Sequence, residues 1–169
     1  MKGIGNSSTA SFNVEKRSEA HLILLSLVES VAMRLRDSEN NCRLVEVSYV
    51  DTNFIKYSRQ RKFNFSMDST KKIAEIAYLL FDEIWKEQPV RKFGVRVSEL
   101  CNNEFSQSTL FDDKDIDKQM KIDNVIDSLR LRFGSKSIAK ASFIHSGIGG
   151  LSIGMGGGED DYPLLSSQL

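Results

Sequence analysis

Cysteine is scarce in this chain: Cys42 and Cys101 are the only two among 169 residues. They make neither a zinc spacing nor a disulfide framework. Two reduced thiols in a cytosolic protein are the plain reading. Histidine is equally rare, and His21 and His145 have no Cys or Asp at ligand spacing, which leaves them as surface or helix-face residues. The longest apolar run, near Leu22 to Leu27, is interrupted by Ser26. No stretch therefore approaches a membrane span, and no charged region with an apolar signal core opens the chain. A Gly-x-Ser-x-Gly elbow is missing, which removes the main support for a serine hydrolase. The Gly-rich run from Gly147 to Gly158 lacks the Gly-Lys-Ser/Thr ending of a phosphate loop and reads as a flexible linker. The densest acidic cluster, Asp112, Asp113, Asp115 and Asp117, flanks a linker and opens a helix, where acidic residues suit the helix dipole. It is not a carboxylate set that holds two magnesium ions. No internal repeat is visible.

What is present is an ordinary globular composition, 40% hydrophobic with a formal net charge of zero. The charge is unevenly spread. Residues 1–100 carry 16 Lys and Arg against 13 Asp and Glu, whereas residues 145–169 carry none against three. The basic excess thus lies in the part with folding signals.

Those signals run in a clear order. Gly5 to Phe12, with Ala10 and Phe12 alternating, reads as a short first strand. Leu24, Leu27, Val28, Val31 and Leu35 recur at helical spacing and predict a helix from about Lys16 to Arg36. Arg43 to Asp51 alternates, with Val45, Val47 and Tyr49 on one face. Asp51, Thr52 and Asn53 supply turn chemistry before a strand from Lys56 to Ser66. Asp68-Ser69-Thr70 starts a second helix that buries Ile73, Ile76, Ala77, Leu80, Phe81 and Ile84 and is stopped by Pro89. Arg91 to Leu100 alternates again as a last strand. The order is β-α-β-β-α-β, an α+β fold with two helices on one face of a four-stranded antiparallel sheet. A linker, an extra helix over Ile116 to Phe133 ending at Gly134, and a mobile tail follow. The expected segments are 1–101 for the sheet domain, 102–113 for the linker, 114–144 for the helical extension and 145–169 for the tail.

This packing leaves the second sheet face open. Alternation places Thr9, Ser11, Ser48, Lys56, Ser58, Gln60, Lys62, Asn64, Lys92, Arg96 and Ser98 there, with Glu46 as the only acid. Such a surface offers donors to phosphate oxygens, which position a duplex without reading its sequence. An ordinary solvated face fits the composition equally well. A protein-interaction domain with no DNA role is the second reading. A small enzyme on this fold has no catalytic constellation to support it.

Several local patterns resemble a known family. Lys2-Gly3-Ile4-Gly5-Asn6-Ser7 is similar to the opening of the little finger domain of Y-family (translesion) DNA polymerases. Trp85, Pro89 and Arg91, continued by Phe93-Gly94-Val95 and Ser98 to Leu100, resemble its closing strand. Gln107-Ser108-Thr109-Leu110-Phe111 and the later Arg130-Leu131-Arg132-Phe133-Gly134 fit bacterial members, most of all those of Firmicutes. The resemblance covers about Lys2 to Ser142. It implies that the open face, Thr9 included, holds duplex phosphates, with Lys2, Gly5, Asn6 and Ser7 on the template backbone. Arg59, Arg61 and Lys62 would grip DNA from the third strand, and Lys92 and Arg96 from the last. Simple alternation puts Arg59 and Arg61 with Phe63 on the other face, and a bulge or late strand start near Lys62 is expected to bring them round. Gln107, Leu110 and Phe111 would dock on the sliding clamp, the beta subunit of DNA polymerase III. There Leu110 and Phe111 would bury in an apolar pocket and Gln107 would hydrogen-bond beside it. The commoner bacterial peptide has Leu where this chain has Ser108. The family's palm, fingers and thumb, with the carboxylates that bind magnesium, would precede Lys2. The chain is therefore expected to be a fragment with Met1 added, needing no cofactor of its own and unable to polymerise DNA.

Overall fold

The computed structural model describes residues 2–102 and 113–143. Alternating sequence becomes long strands: β1 (Gly3–Val14), β2 (Asn40–Asp51), β3 (Lys56–Met67) and β4 (Val90–Ser98). Helix α1 (Arg17–Asp37) follows β1, and α2 (Thr70–Ile84) follows β3. The sheet order is β1-β4-β2-β3, antiparallel throughout. The expected β-α-β-β-α-β order and the two-layer α+β arrangement are both present. One strand was not anticipated. Glu99 takes φ 52 and breaks β4, after which β5 (Cys101–Asn102) pairs with Asn41 and Asn40. It continues the β4 register along β2.

The core lies between the sheet and the two helices. Val45, Val47 and Tyr49 of β2 and Phe93, Val95 and Val97 of β4 meet Leu24, Val28 and Val31 of α1 and Ile73, Leu80 and Phe81 of α2. Phe81 is the hub, with its ring centroid 5.6 Å from Tyr49, 5.9 Å from Phe93 and 5.4 Å from Trp85. Burying such a ring contributes about 1.5–3 kcal/mol. The Tyr49 hydroxyl donates to the Ile84 carbonyl at 3.0 Å and accepts from Gln88 Nε2 at 2.5 Å. Those bonds explain why α2 stops at Ile84, well before Pro89. The freed carbonyl has a buried partner, Trp85 is already extended, and its indole N–H donates to the Gln88 carbonyl at 2.9 Å.

Cys42 sits fully buried where β2 enters the core, and burial, with Asp68 nearby, pushes its thiol up to about 12. The folded state thus disfavours the thiolate, the form that reacts. Alkylation of the native protein at pH 8 should modify half-buried Cys101 and spare Cys42 until denaturant is added. Equal labelling of both thiols in the native state, read by mass spectrometry, would contradict this burial.

The C-terminal helix α3 (Asp113–Phe133) begins three residues before the expected start, and Gly134 at φ +92 follows it. It joins the sheet domain through charge. Arg36, near the end of α1, grips Asp127 with Nε at 2.6 Å and Nη2 at 3.0 Å, and donates to the Asp68 carbonyl at 2.8 Å. Asp123 accepts from the Thr70 N–H at 3.0 Å, an added cap on α2 beside the Ser69 hydroxyl. Arg130 meets Glu29 of α1 at 2.8 Å, each side chain only 4% exposed. Ile122 and Val125, whose helical spacing predicted α3, are instead 42% and 58% exposed.

Candidate nucleic-acid interface

Residues paired directly across antiparallel strands share a face. The registers therefore assemble the open face as transverse rows, each running from β1 through β4 and β2 to β3. The first is Gly3, Ser98, Leu44 and Lys62; the second Gly5, Arg96, Glu46 and Gln60. The third is Ser7, Gly94, Ser48 and Ser58, and the fourth Thr9, Lys92, Val50 and Lys56. The third row is a floor of small residues. At Gly94 the space a Cβ would fill is taken by Ser48 Oγ, 2.7 Å from that position. Lys92 and Lys56 stand on one side of this floor, and Arg96 lies on the other, with Lys62 one row further. Arg96 lies along the sheet over two glycines: its Cβ and Cγ would be 3.3 Å from a Cβ on Gly5, and its Nε 3.2 Å from one on Gly3. Side chains at positions 3 and 5 would lift the guanidinium off the sheet.

Charges on this face are unequally engaged. Lys62 is held by Glu99 at 2.8 Å, with both side chains substantially exposed. Such an exposed pair is worth little and exchanges readily for a phosphate. Glu46 is the cross-strand neighbour of Arg96. Among the described residues no carboxylate comes within ion-pair distance of Lys56, Lys92 or Arg96. Cationic and hydroxyl groups thus flank a shallow floor that a sugar-phosphate chain could follow.

The other sequence-based candidates fall in different places. Gly5, Ser7 and Thr9 are on the open face, and Lys2 is exposed just before β1. Asn6 is not on that face. It pairs with Val95, turns toward α1, and donates to Ser30 Oγ at 3.2 Å. Arg59 and Arg61 are also on the helix side, paired with Val47 and Val45. Both reach Glu83 of α2, Arg59 Nε at 3.3 Å, and Arg61 forms the closer pair. A register shift does occur near Lys62, but it follows that residue: pairing jumps from Leu44–Lys62 to Cys42–Met67. Alternation therefore runs unbroken from Lys56 to Lys62, and the two arginines stay with the core stripe of β2. Lys56 is the cation that a choice of site by resemblance passed over. Its alternation with Lys62 was readable, but its place beside Lys92 needed the cross-strand register. Gln107, Leu110 and Phe111 lie outside the described residues. Among the described residues no three His, Cys, Asp or Glu side chains come together to hold a metal ion.

Comparison with known proteins agrees with this architecture. Residues 1–110 match the model of the impB/mucB/samB family C-terminal domain. DNA polymerase IV of Clostridium acetobutylicum is 32% identical over 141 residues, covering 83% of this chain and 36% of that protein. DNA polymerase IV 2 of Bacillus subtilis is 32% identical over 146 residues, covering 84% of this chain and 35% of that protein. The chain thus spans about a third of the length of these curated relatives. Among solved structures, a complex of the beta-clamp processivity factor and the little finger domain of PolIV matches with a TM-score of 0.50 and 18% identity, covering 64% of this chain and 98% of that one. A Y-family polymerase chimera, Dbh-Dpo4(243-245)-Dbh, matches with a TM-score of 0.51 at 18% identity over 61% of this chain and 30% of that one. The strand order, the two helices on one face and the matched residues 1–110 agree: the chain belongs to the impB/mucB/samB C-terminal domain family, the little finger of Y-family DNA polymerases.

Proposed function

We propose that this chain holds primer–template DNA by its sugar-phosphate backbone and recruits a translesion DNA polymerase to the sliding clamp. The observation that carries the DNA half is the open face itself. A floor of Ser7, Gly94, Ser48 and Ser58 is flanked by Lys56, Lys92 and Arg96. Cations and hydroxyls spread over an open sheet face suit phosphate oxygens, and such contacts carry no sequence information, so affinity should be alike for unrelated sequences and weaken with salt. Carboxylates that bind magnesium and join nucleotides belong to other parts of such a polymerase, and this chain supplies the grip. Lesion bypass in the bacterial cytoplasm is the setting we propose for the whole protein.

The clamp half rests on Gln107, Leu110 and Phe111, in a segment from Asn102 to Asp113 whose only other apolar residue is Phe105. An apolar pair in such surroundings marks a partner site, and the PolIV little finger solved with its clamp offers a precedent in the same fold. Leu110→Ala with Phe111→Ala should abolish co-purification with the bacterial beta clamp and leave the thermal midpoint unchanged. Undiminished clamp association would sink this assignment. A protein-interaction domain without a DNA role remains the alternative. It predicts no binding to duplexes of any sequence, even at low ionic strength.

A further inference from the structure

We infer that the tip of the β2–β3 hairpin, Phe54 with Ile55, is a stacking site for an unpaired base of the template strand. The inference rests on the DNA-binding reading above and extends it to a second part of the nucleic acid. Phe54 is 90% exposed and Ile55 is 51% exposed, whereas Phe81 and Phe93 of the same domain are fully buried. Phe65 and Phe133 are exposed to 43% and 62%, so Phe54 is the most exposed ring among the described residues. Phe54 also adopts φ 64, in the left-handed region that a bulky side chain rarely enters.

The tip is nevertheless well built. Asp51, itself buried, accepts with its Oδ1 from the Asn53 N–H at 2.8 Å and the Ile55 N–H at 2.9 Å. Its main chain bonds the Ile55 carbonyl at 3.1 Å and the Phe54 N–H at 3.2 Å. The Thr52 N–H donates to the Pro89 carbonyl at 3.2 Å and ties the tip to the start of β4. A buried carboxylate and five hydrogen bonds thus fix the one conformation that displays an aromatic ring to solvent.

Position and charge indicate what the ring meets. The last rung before the tip is Val50 with Lys56, in the row that also holds Lys92 and Thr9. A phosphate chain following the floor past Lys92 and Lys56 carries its bases toward the hairpin end. A cationic track beside an exposed aromatic is the composition that holds single strands, where each base has a free face to stack. Paired bases inside a duplex are already stacked, so the ring gains most from an unpaired template base.

The experiment compares the whole chain with its Phe54→Asn variant, since asparagine tolerates positive φ and preserves the turn. Binding is measured to a blunt duplex and to the same duplex carrying a single-stranded template extension. The single-stranded extension should strengthen wild-type binding. Phe54→Asn should lose about tenfold on the extended probe and less than about twofold on the blunt one, with Phe54→Trp restoring the difference. Equal affinity of wild type and variant for the extended probe overturns the inference and points to a protein partner for the tip. An equal loss on both probes overturns it as well, because the ring would then serve the duplex or the fold. Failure of the wild type to bind either probe would instead strike the DNA-binding reading itself.

Discussion

Replacing Lys92 and Arg96 together by glutamate should weaken binding to primer–template duplex by at least about a hundredfold at low salt. Each charge-assisted hydrogen bond contributes about 1.5–3 kcal/mol, and about 1.4 kcal/mol corresponds to a factor of ten. Two lost contacts therefore suffice, before counting repulsion between the new carboxylates and phosphates. The positions are suited to the test because neither side chain belongs to the core. Both are exposed on the open face, on either side of Gly94. The matched control is Arg59→Ala with Arg61→Ala, which removes the same number of cations from the same sheet. Those arginines face α2 and pair with Glu83, so binding should change less than about threefold by loss of general charge alone. The reverse order, with the control more damaging than the glutamates, would show that DNA lies along the β3 edge and not across the open face.

The largest effect on stability is expected at Glu29. Glu29→Ala should cost about 3–5 kcal/mol, read from the urea midpoint, because it strands a buried guanidinium. Arg130 and Glu29 meet at 2.8 Å with each side chain 4% exposed. Lys140 is the only other cation near Glu29 among the described residues, at 3.8 Å and partly exposed. Arg130 also donates to the Ile138 carbonyl at 3.3 and 3.2 Å, so it fastens the segment after α3 as well as α3 itself. Arg130→Ala should cost nearly as much, leaving Glu29 with Lys140 alone. The double substitution Glu29→Leu with Arg130→Met should recover most of the loss, since a buried pair replaced by apolar side chains is often neutral. A cost below about 1 kcal/mol for Glu29→Ala would mean that water reaches the pair and that α3 is loosely held.

Local periodicity made the element order legible. The Val45-Val47-Tyr49 and Phe93-Val95-Val97 stripes each point one way, and the helical spacing of Leu24 through Leu35 is equally direct. Relations between elements were less accessible. Alternation within β3 put Arg59 and Arg61 with Phe63 on the helix side, where the register with Val47 and Val45 keeps them, and only the resemblance set them on the open face. The register shift that was expected to turn Arg59 and Arg61 round lies after Lys62, so it leaves them where alternation put them. Asn6 likewise shares its face with Val95 because β1 alternates from Ile4, and a polar residue opposite Ser30 satisfies itself there. Helix α3 was hardest to read. Its spacing showed an apolar stripe, yet it docks by Asp123, Asp127 and Arg130, whose partners Thr70, Arg36 and Glu29 are distant in sequence. Buried charge pairs leave no hydropathic mark on the helix that carries them.

The most direct test of the central claim is the salt dependence of binding to a primer–template duplex. Each phosphate neutralised by a cation adds about −0.9 to the slope of log affinity against log salt. With Lys56, Lys62, Lys92 and Arg96 on the face, the wild-type slope should be about −3 to −4, and the same for unrelated duplex sequences. Lys92→Glu with Arg96→Glu should make that slope shallower by about two. A wild-type slope near zero, or a slope that this double substitution leaves unchanged, would contradict the assignment of the open sheet face as the DNA grip.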